Sequence, residues 1–174
     1  IIEDIVHPSL FVDGANSSVE IGDTYGGGIV FWLDGNGGGL IAAPTDQSSG
    51  AEWGCQGTAI PEARETGIMK GNINTYYLYE KCEQEGIAAQ YCYELRLGGH
   101  TDWWLPSKDE LNEMFYAIGQ GSSLGNVGGF AFNFYWSSTE FDNFNAWYQD
   151  FYNGYQANYS KNNYVKAVRA VRAF

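Results

Sequence analysis

The chain has 174 residues, a net charge of −12, and 44% hydrophobic against 17% charged residues, so it is long enough for one domain with a real core and too short for two ordinary ones. No run approaches the roughly 20 apolar residues of a membrane helix, and the acidity disfavours nucleic acid, sulfated glycans and anionic membranes. Its 6 Trp, 13 Tyr and 10 Phe exclude disorder.

Residues 1–21 read as a lead-in segment and 22–174 as a single domain. Gly28 to Leu33 and Gly39 to Ala43 are apolar runs separated by Asp34-Gly35-Asn36-Gly37-Gly38, a hairpin by its turn chemistry. Residues 44–72 have no period and read as an irregular loop carrying Trp53 and Cys55. Helical patterning covers about Asn74 to Lys81, then Ile87 to Leu97 with Gly98-Gly99 as the stop. Ser107 with Glu110 three residues on is a capping box, and Leu111, Met114, Phe115 and Ile118 give the apolar face of a helix over 108–118.

Gly119 to Gly129 is a glycine-rich loop, after which the period becomes two. Phe130, Phe132 and Phe134 alternate, Trp147, Gln149 and Phe151 alternate against Tyr148, Asp150 and Tyr152, and Val165 to Phe174 reads as a final strand. The expected fold class is α+β, with two main helices, antiparallel strands, and the first and last strands paired.

Catalytic patterns are missing. Neither GxSxG nor HExxH occurs, and Gly26-Gly27-Gly28 precedes a strand instead of joining strand to helix, so it cannot cradle phosphate. His100 with Asp102 is better read as part of a turn, and Asp109-Glu110 as acids of a helix first turn. Cys55, Cys82 and Cys92 allow at most one disulfide, and bridging Cys82 to Cys92 needs a turn at Glu85-Gly86. There is no CxxC and no zinc spacing. The expectation is a protein that is not an enzyme.

Charge and aromatics separate along the chain. Residues 1–129 carry 18 acids against 5 Lys/Arg, whereas residues 130–174 carry three against four and hold 15 aromatics and seven Asn. The candidate ligand-binding residues are Phe141, Asp142, Asn143, Phe144, Asn145, Tyr148, Asp150, Tyr152, Asn153, Tyr155, Asn158, Tyr159, Asn162, Asn163 and Tyr164. Strand alternation sets Tyr148, Asp150 and Tyr152 on the face opposite Trp147 and Phe151. A Tyr/Asn surface has the composition of binding loops, with rigid contact area from Tyr and adaptable hydrogen bonds from Asn. Trp136, Trp147, Phe151, Arg169 and Arg172 are assigned to the scaffold.

Gly98-Gly99-His100-Thr101-Asp102-Trp103-Trp104-Leu105-Pro106-Ser107-Lys108-Asp109-Glu110-Leu111, Tyr135-Trp136-Ser137-Ser138-Thr139-Glu140, Ala146-Trp147, Phe151, Gly154, Lys161 and Val168 to Phe174 together resemble the Lcl C-terminal domain family, over roughly residues 22–174. The resemblance implies a C-type-lectin-like fold and an extracellular adhesin or receptor-binding tip on a bacterial surface or phage particle. Its partner would be a surface protein or glycan on another cell. No nucleic acid and no membrane insertion are expected, no cofactor is required, and a structural calcium and a homotrimer are left open.

The Glu-Pro-Asn and Trp-Asn-Asp calcium–sugar motifs are missing. Formylglycine-generating enzymes have a similar Leu-Pro-Ser-x-x-Glu helix start, but their catalytic cysteine pair has no counterpart after Cys92. A carbohydrate-binding lectin is the alternative within binding, and a structural trimer cap is a further one.

Related lectin-like domains are variable proteins of diversity-generating retroelements, in which adenines of AAC or AAT codons are randomised. Such codons yield the Asn, Tyr, Phe, Asp and Ser that fill 141–164. Gln149, Gln156 and Lys161 cannot arise that way and are expected to be fixed positions.

Overall fold

The computed structural model describes residues 18–163 and 165–174. Its strands are β1 (Thr24–Tyr25), β2 (Gly28–Leu33), β3 (Gly39–Ala42), β4 (Ser48–Ala51), β5 (Phe134–Glu140), β6 (Asn145–Asp150), β7 (Gln156–Ser160), β8 (Lys166–Val168) and β9 (Val171–Ala173), and its α-helices are α1 (Gly71–Lys81), α2 (Ala88–Tyr93) and α3 (Lys108–Ile118). The chain is thus α+β; of the three α-helices among the described residues, α1 and α3, with 11 residues each, are the two main ones expected, and α2 has six. One sheet runs β1-β2-β3-β9 and the other β4-β8-β5-β6-β7.

The opening hairpin forms as its turn chemistry dictates. Asp34 Oδ1 accepts from Asn36 N at 2.7 Å and Gly38 N at 3.0 Å, while Gly35 and Gly37 take left-handed φ values of 77° and 97°. The first and last strands, expected to pair, do not; β9 pairs with β3, whose free edge the hairpin leaves open.

Helix α3 matches its sequence signal. Glu110 N donates to Ser107 Oγ (3.2 Å) and Ser107 N to Glu110 Oε2 (2.8 Å), the reciprocal capping box. Leu111, Met114, Phe115 and Ile118 are buried, each removal from water stabilising by about 1.5–3 kcal/mol. Glu110 is itself buried and also accepts from Trp104 Nε1 and Gly71 N, so one carboxylate ties the starts of α1 and α3 together. Burial pushes its pKa above the usual carboxylate value, against the pull of these donors.

Four other expectations are corrected. The second helix stops at Tyr93, and Leu97 instead pairs with His100 in a tight turn before Gly98-Gly99 can act as a helix stop. The loop 44–72 holds β4 and a 3-10 turn at Pro61–Ala63; β4 is a short Ser/Gly strand without a periodic apolar face to announce it. Phe130 and Phe132 precede β5, because Asn126 caps Phe130 through both its backbone groups and bends the chain there.

The final run 165–174 splits into two strands in two sheets, with Arg169 between them. Its guanidinium donates to Asp46 Oδ1 (2.7 Å), Ala43 O (3.0 Å) and Gly128 O (2.8 Å) and lies 4.3 Å from the Phe130 ring. Those bonds turn the backbone from one sheet to the other.

Adjacent β5 residues point to opposite faces and so serve two cores. Trp136 packs with Trp53, Leu78, Ile87, Trp103 and Val168, and Tyr135 with Phe31, Leu111, Phe115, Phe130 and Phe151. Val19 and Ile21 also pack on this core. Cys55 and Cys82 form the disulfide, which joins the loop to the end of α1. Cys92 is a buried free thiol inside α2, so the turn at Glu85-Gly86 brings no second bridge. Arg172 holds Asp102 through two bonds of 2.8 and 2.9 Å, so the carboxylate beside His100 belongs to the scaffold.

Candidate functional site

The segment 141–163 forms the β6–β7 edge of the five-stranded sheet and the turns at either end of β6. Phe141, Phe144, Tyr152, Asn153, Tyr155, Tyr159 and Asn162 are exposed; Asp142, Asn143, Asn145, Tyr148, Asp150, Asn158 and Asn163 are partly buried. Tyr164 lies outside the described residues. At about 3.4 Å per residue, β6 separates its two turns by about 17 Å, so the residues form a face with two ends instead of one compact patch.

Cross-strand register sorts them. Trp136 is opposite Tyr148, Tyr148 is opposite Ala157, and Phe134 is opposite Asp150, which places Phe134, Tyr148, Asp150 and Tyr159 on one face. The rings run together there: Phe134 to Tyr148 at 5.5 Å and Tyr148 to Tyr159 at 6.4 Å between centroids.

Beneath them sits the buried Lys166. Its Nζ lies 4.3 Å from the Tyr159 ring, 4.5 Å from Trp136 and 4.7 Å from Tyr148, and donates to Asn163 Oδ1 at 3.0 Å. Burial pulls its pKa down to about 8. Tyr148, half-covered by this packing, has its hydroxyl pKa raised, burial being the main cause.

The opposite face carries Trp147 and Asn158, paired across the strands, with Phe141 against the indole (5.5 Å) and Lys108 Nζ 4.3 Å from it. Trp147 is therefore half-exposed, whereas Trp136, Phe151, Arg169 and Arg172 are buried as scaffold. Alternation puts Trp147 on the right face, but it is less covered than the scaffold assignment implies because α3 covers only part of this face, reaching Gln149 and Gln156. Gln149 Nε2 donates to Asn112 Oδ1 (2.9 Å), and Gln156 Nε2 to Lys108 O (2.8 Å).

Several polar candidates spend their side chains on their own turns. Asp142 accepts from Phe144 N, Asn145 N and Asn145 Nδ2, which holds its carboxyl below the usual range, the Phe144 N–H contributing most. Asp150 accepts from Tyr152 N and Asn153 from Tyr155 N, both at 2.8 Å. These bonds fix the backbone of the donating residues Phe144, Tyr152 and Tyr155, whose rings are exposed.

The most exposed large apolar side chains of the described chain gather at the β6–β7 turn: Phe132 (73%), Tyr152 (71%) and Tyr155 (65%), with Phe132 5.7 Å from Tyr152. Sequence reasoning passed over Phe132 and Phe134 because their alternation looked like strand. The Asn126-Val127-Gly128-Gly129 turn ahead of them was the available signal.

A cleft of about 670 Å³ lies elsewhere, between α2 and the approach to β4, lined in part by Asp46, Glu85, Tyr91, Glu94 and Arg96. It is at the opposite edge of the sheet from β7. Among the described residues no three His, Cys, Asp or Glu side chains converge as metal ligands, and no helix is long and apolar enough to cross a membrane.

A sequence model of the Lcl C-terminal domain matches residues 43–172, more than half of the chain, and the chain belongs to that family. No curated protein matches it.

Proposed function

We propose that this member of the Lcl C-terminal domain family is a non-enzymatic ligand-binding module, an adhesin or receptor-binding tip with a C-type-lectin-like scaffold. Its ligand, a surface protein or glycan on another cell, meets the β5–β6–β7 face and the two turns of β6. The observation that carries this reading is the exposure of Phe132, Tyr152 and Tyr155 together, beside Phe134, Tyr148 and Tyr159. Rigid aromatic rings give large contact area at low entropic cost, and clustered exposed rings mark interaction sites.

The reading places the module outside the cell, on a bacterium or phage, alone or at the tip of a trimer, and needs no cofactor. The Cys55–Cys82 disulfide supports an oxidising compartment. Sequence diversification of the exposed positions fits the split between frame and display. Gln149 and Lys161 are buried, and Gln156 is bonded to the Lys108 carbonyl and to Gln149, so the three residues that randomised AAC or AAT codons cannot supply are frame residues.

The test is binding of the chain to immobilised bacterial surface proteins and to a glycan array, before and after Tyr152→Ala with Tyr155→Ala. Binding lost in this pair and kept in Tyr76→Ala, an exposed tyrosine on α1, is the expected result. Binding unchanged by the pair, with the fold intact, would sink the proposal. A glycan is the second reading for the ligand, favoured by the Phe132–Tyr152 pair with Asn153 alongside, since open ring faces stack on sugars and amides bond hydroxyls. For diversification, the gene locus is decisive: a reverse transcriptase and a near-copy of the 3′ segment differing only at adenines.

A further inference from the structure

β7 ends its sheet, and its backbone pairing shows which groups it leaves over. Asp150 N donates to Tyr155 O and Lys161 N to Phe144 O, so residues 155, 157, 159 and 161 turn their backbone groups inward, toward β6 and the turn that precedes it. By the same alternation Gln156, Asn158 and Ser160 direct their N–H groups outward, and no described residue accepts from them. The Ser160 carbonyl takes Asn163 N at 3.1 Å; those of Gln156 and Asn158 are likewise open among the described residues.

Edges like this are ordinarily blunted by charge, proline or a bulge. Gln156-Ala157-Asn158-Tyr159-Ser160 has neither charge nor proline, and its register with β6 runs without a shift. The edge is free of a bulge, uncharged and bordered by the exposed rings of Tyr155 and Tyr159.

We infer that β7 takes a further strand: the ligand is a polypeptide bound in extended form, pairing with the outward groups of Gln156, Asn158 and Ser160. This rests on the recognition surface proposed above and narrows its ligand to protein. Outward N–H groups on alternate residues repeat at about 6.8 Å, a spacing that another extended backbone matches and a sugar does not. Charge selects the occupant further. Two whole chains of −12 repel one another, and the edge itself, uncharged and in a segment with three acids against four Lys/Arg, gives a charged strand no partner, so the occupant is a neutral strand of another protein.

The probe is a displayed library of random peptides about 12 residues long, long enough to cover the edge, selected on the full chain. Amide exchange of the selected complexes is then read residue by residue. Exchange at Gln156, Asn158 and Ser160 slowed about tenfold or more in the complex is the expected result, with affinity lost in Asn158→Pro and weakened in Asn158→Lys. The lysine variant keeps the β7 backbone and guards against a proline variant that fails to fold.

The inference is overturned by a library with no binders, by binders that leave those three amides exchanging as in the free chain, or by glycan binding without peptide binding. It is also overturned if sedimentation shows the chain self-associating with the same amides protected, which would make a second copy the occupant. Binders that need Tyr152 and Tyr155 yet leave the β7 amides open reject strand addition while sparing the recognition surface.

Discussion

Lys161 and Glu140 meet inside the domain, Nζ 2.7 Å from Oε1, with neither side chain exposed. Glu140 also accepts from Ile60 N (2.7 Å) and Arg64 Nε (2.8 Å), and Lys161 donates to Thr58 O. The pair thereby fastens the loop 58–64 to the end of β5. Removing one partner strands a buried charge, so Glu140→Gln and Lys161→Met should each cost about 3–5 kcal/mol in chemical denaturation. The double variant Glu140→Leu with Lys161→Met should cost less than their sum.

Lys166 makes a pH prediction. Its native pKa near 8 lies below the ordinary 10.5, so above about pH 8 the unfolded chain holds a proton the native state has lost. Stability from this group therefore rises with pH between about 8 and 10. Tyr148, the neighbour, has its hydroxyl pKa raised, mainly by burial, which sets its own titration later than that of a free tyrosine. Urea midpoints at about pH 7.5 and 9.5 should show the rise in wild type and a flatter profile in Lys166→Met; equal slopes would refute it.

The junction at Glu110 gives two substitutions of different kinds. Ser107→Ala removes the cap and should cost about 1–2 kcal/mol. Gly71→Ala should cost about 1–3 kcal/mol by overpacking, because a Cβ there would press on Glu110 Oε2, Leu105 O and Ser107 N. Thermal melts followed by tryptophan signals measure both.

These local features were the legible part of the sequence. The capping box, the Asp34 hairpin turn and the apolar face of α3 depend on residues a few positions apart, and all three are present. What could not be read depends on distant partners. Gln156 is an unremarkable strand residue until the Lys108 carbonyl lies against it, and Arg169 interrupts an apparently continuous strand because Asp46 and Gly128 wait for it. The candidate surface was legible as composition. Its two faces were legible from the alternation of Tyr148 and Asp150 against Trp147, whereas the partial exposure of Trp147 needed the footprint of α3.

The cysteines differ in reactivity. Cys92 is fully buried and its thiol pKa is pushed well up by desolvation, so alkylating reagents should leave the native protein unmodified and add one label after unfolding. Reduction should then allow three labels. Cys55→Ala with Cys82→Ala opens a 27-residue separation and should cost about 3–4 kcal/mol.

Arg169 turns the chain between β8 and β9, so the eight residues 166–173 supply an inner strand to one sheet and an edge strand to the other. β4 cannot join β5, and β3 cannot gain its outer partner, until this stretch has left the ribosome. The β2–β3 and β5–β6–β7 meanders can pair earlier, but the covering of both cores by β8 and β9 comes only with the last residues of the domain.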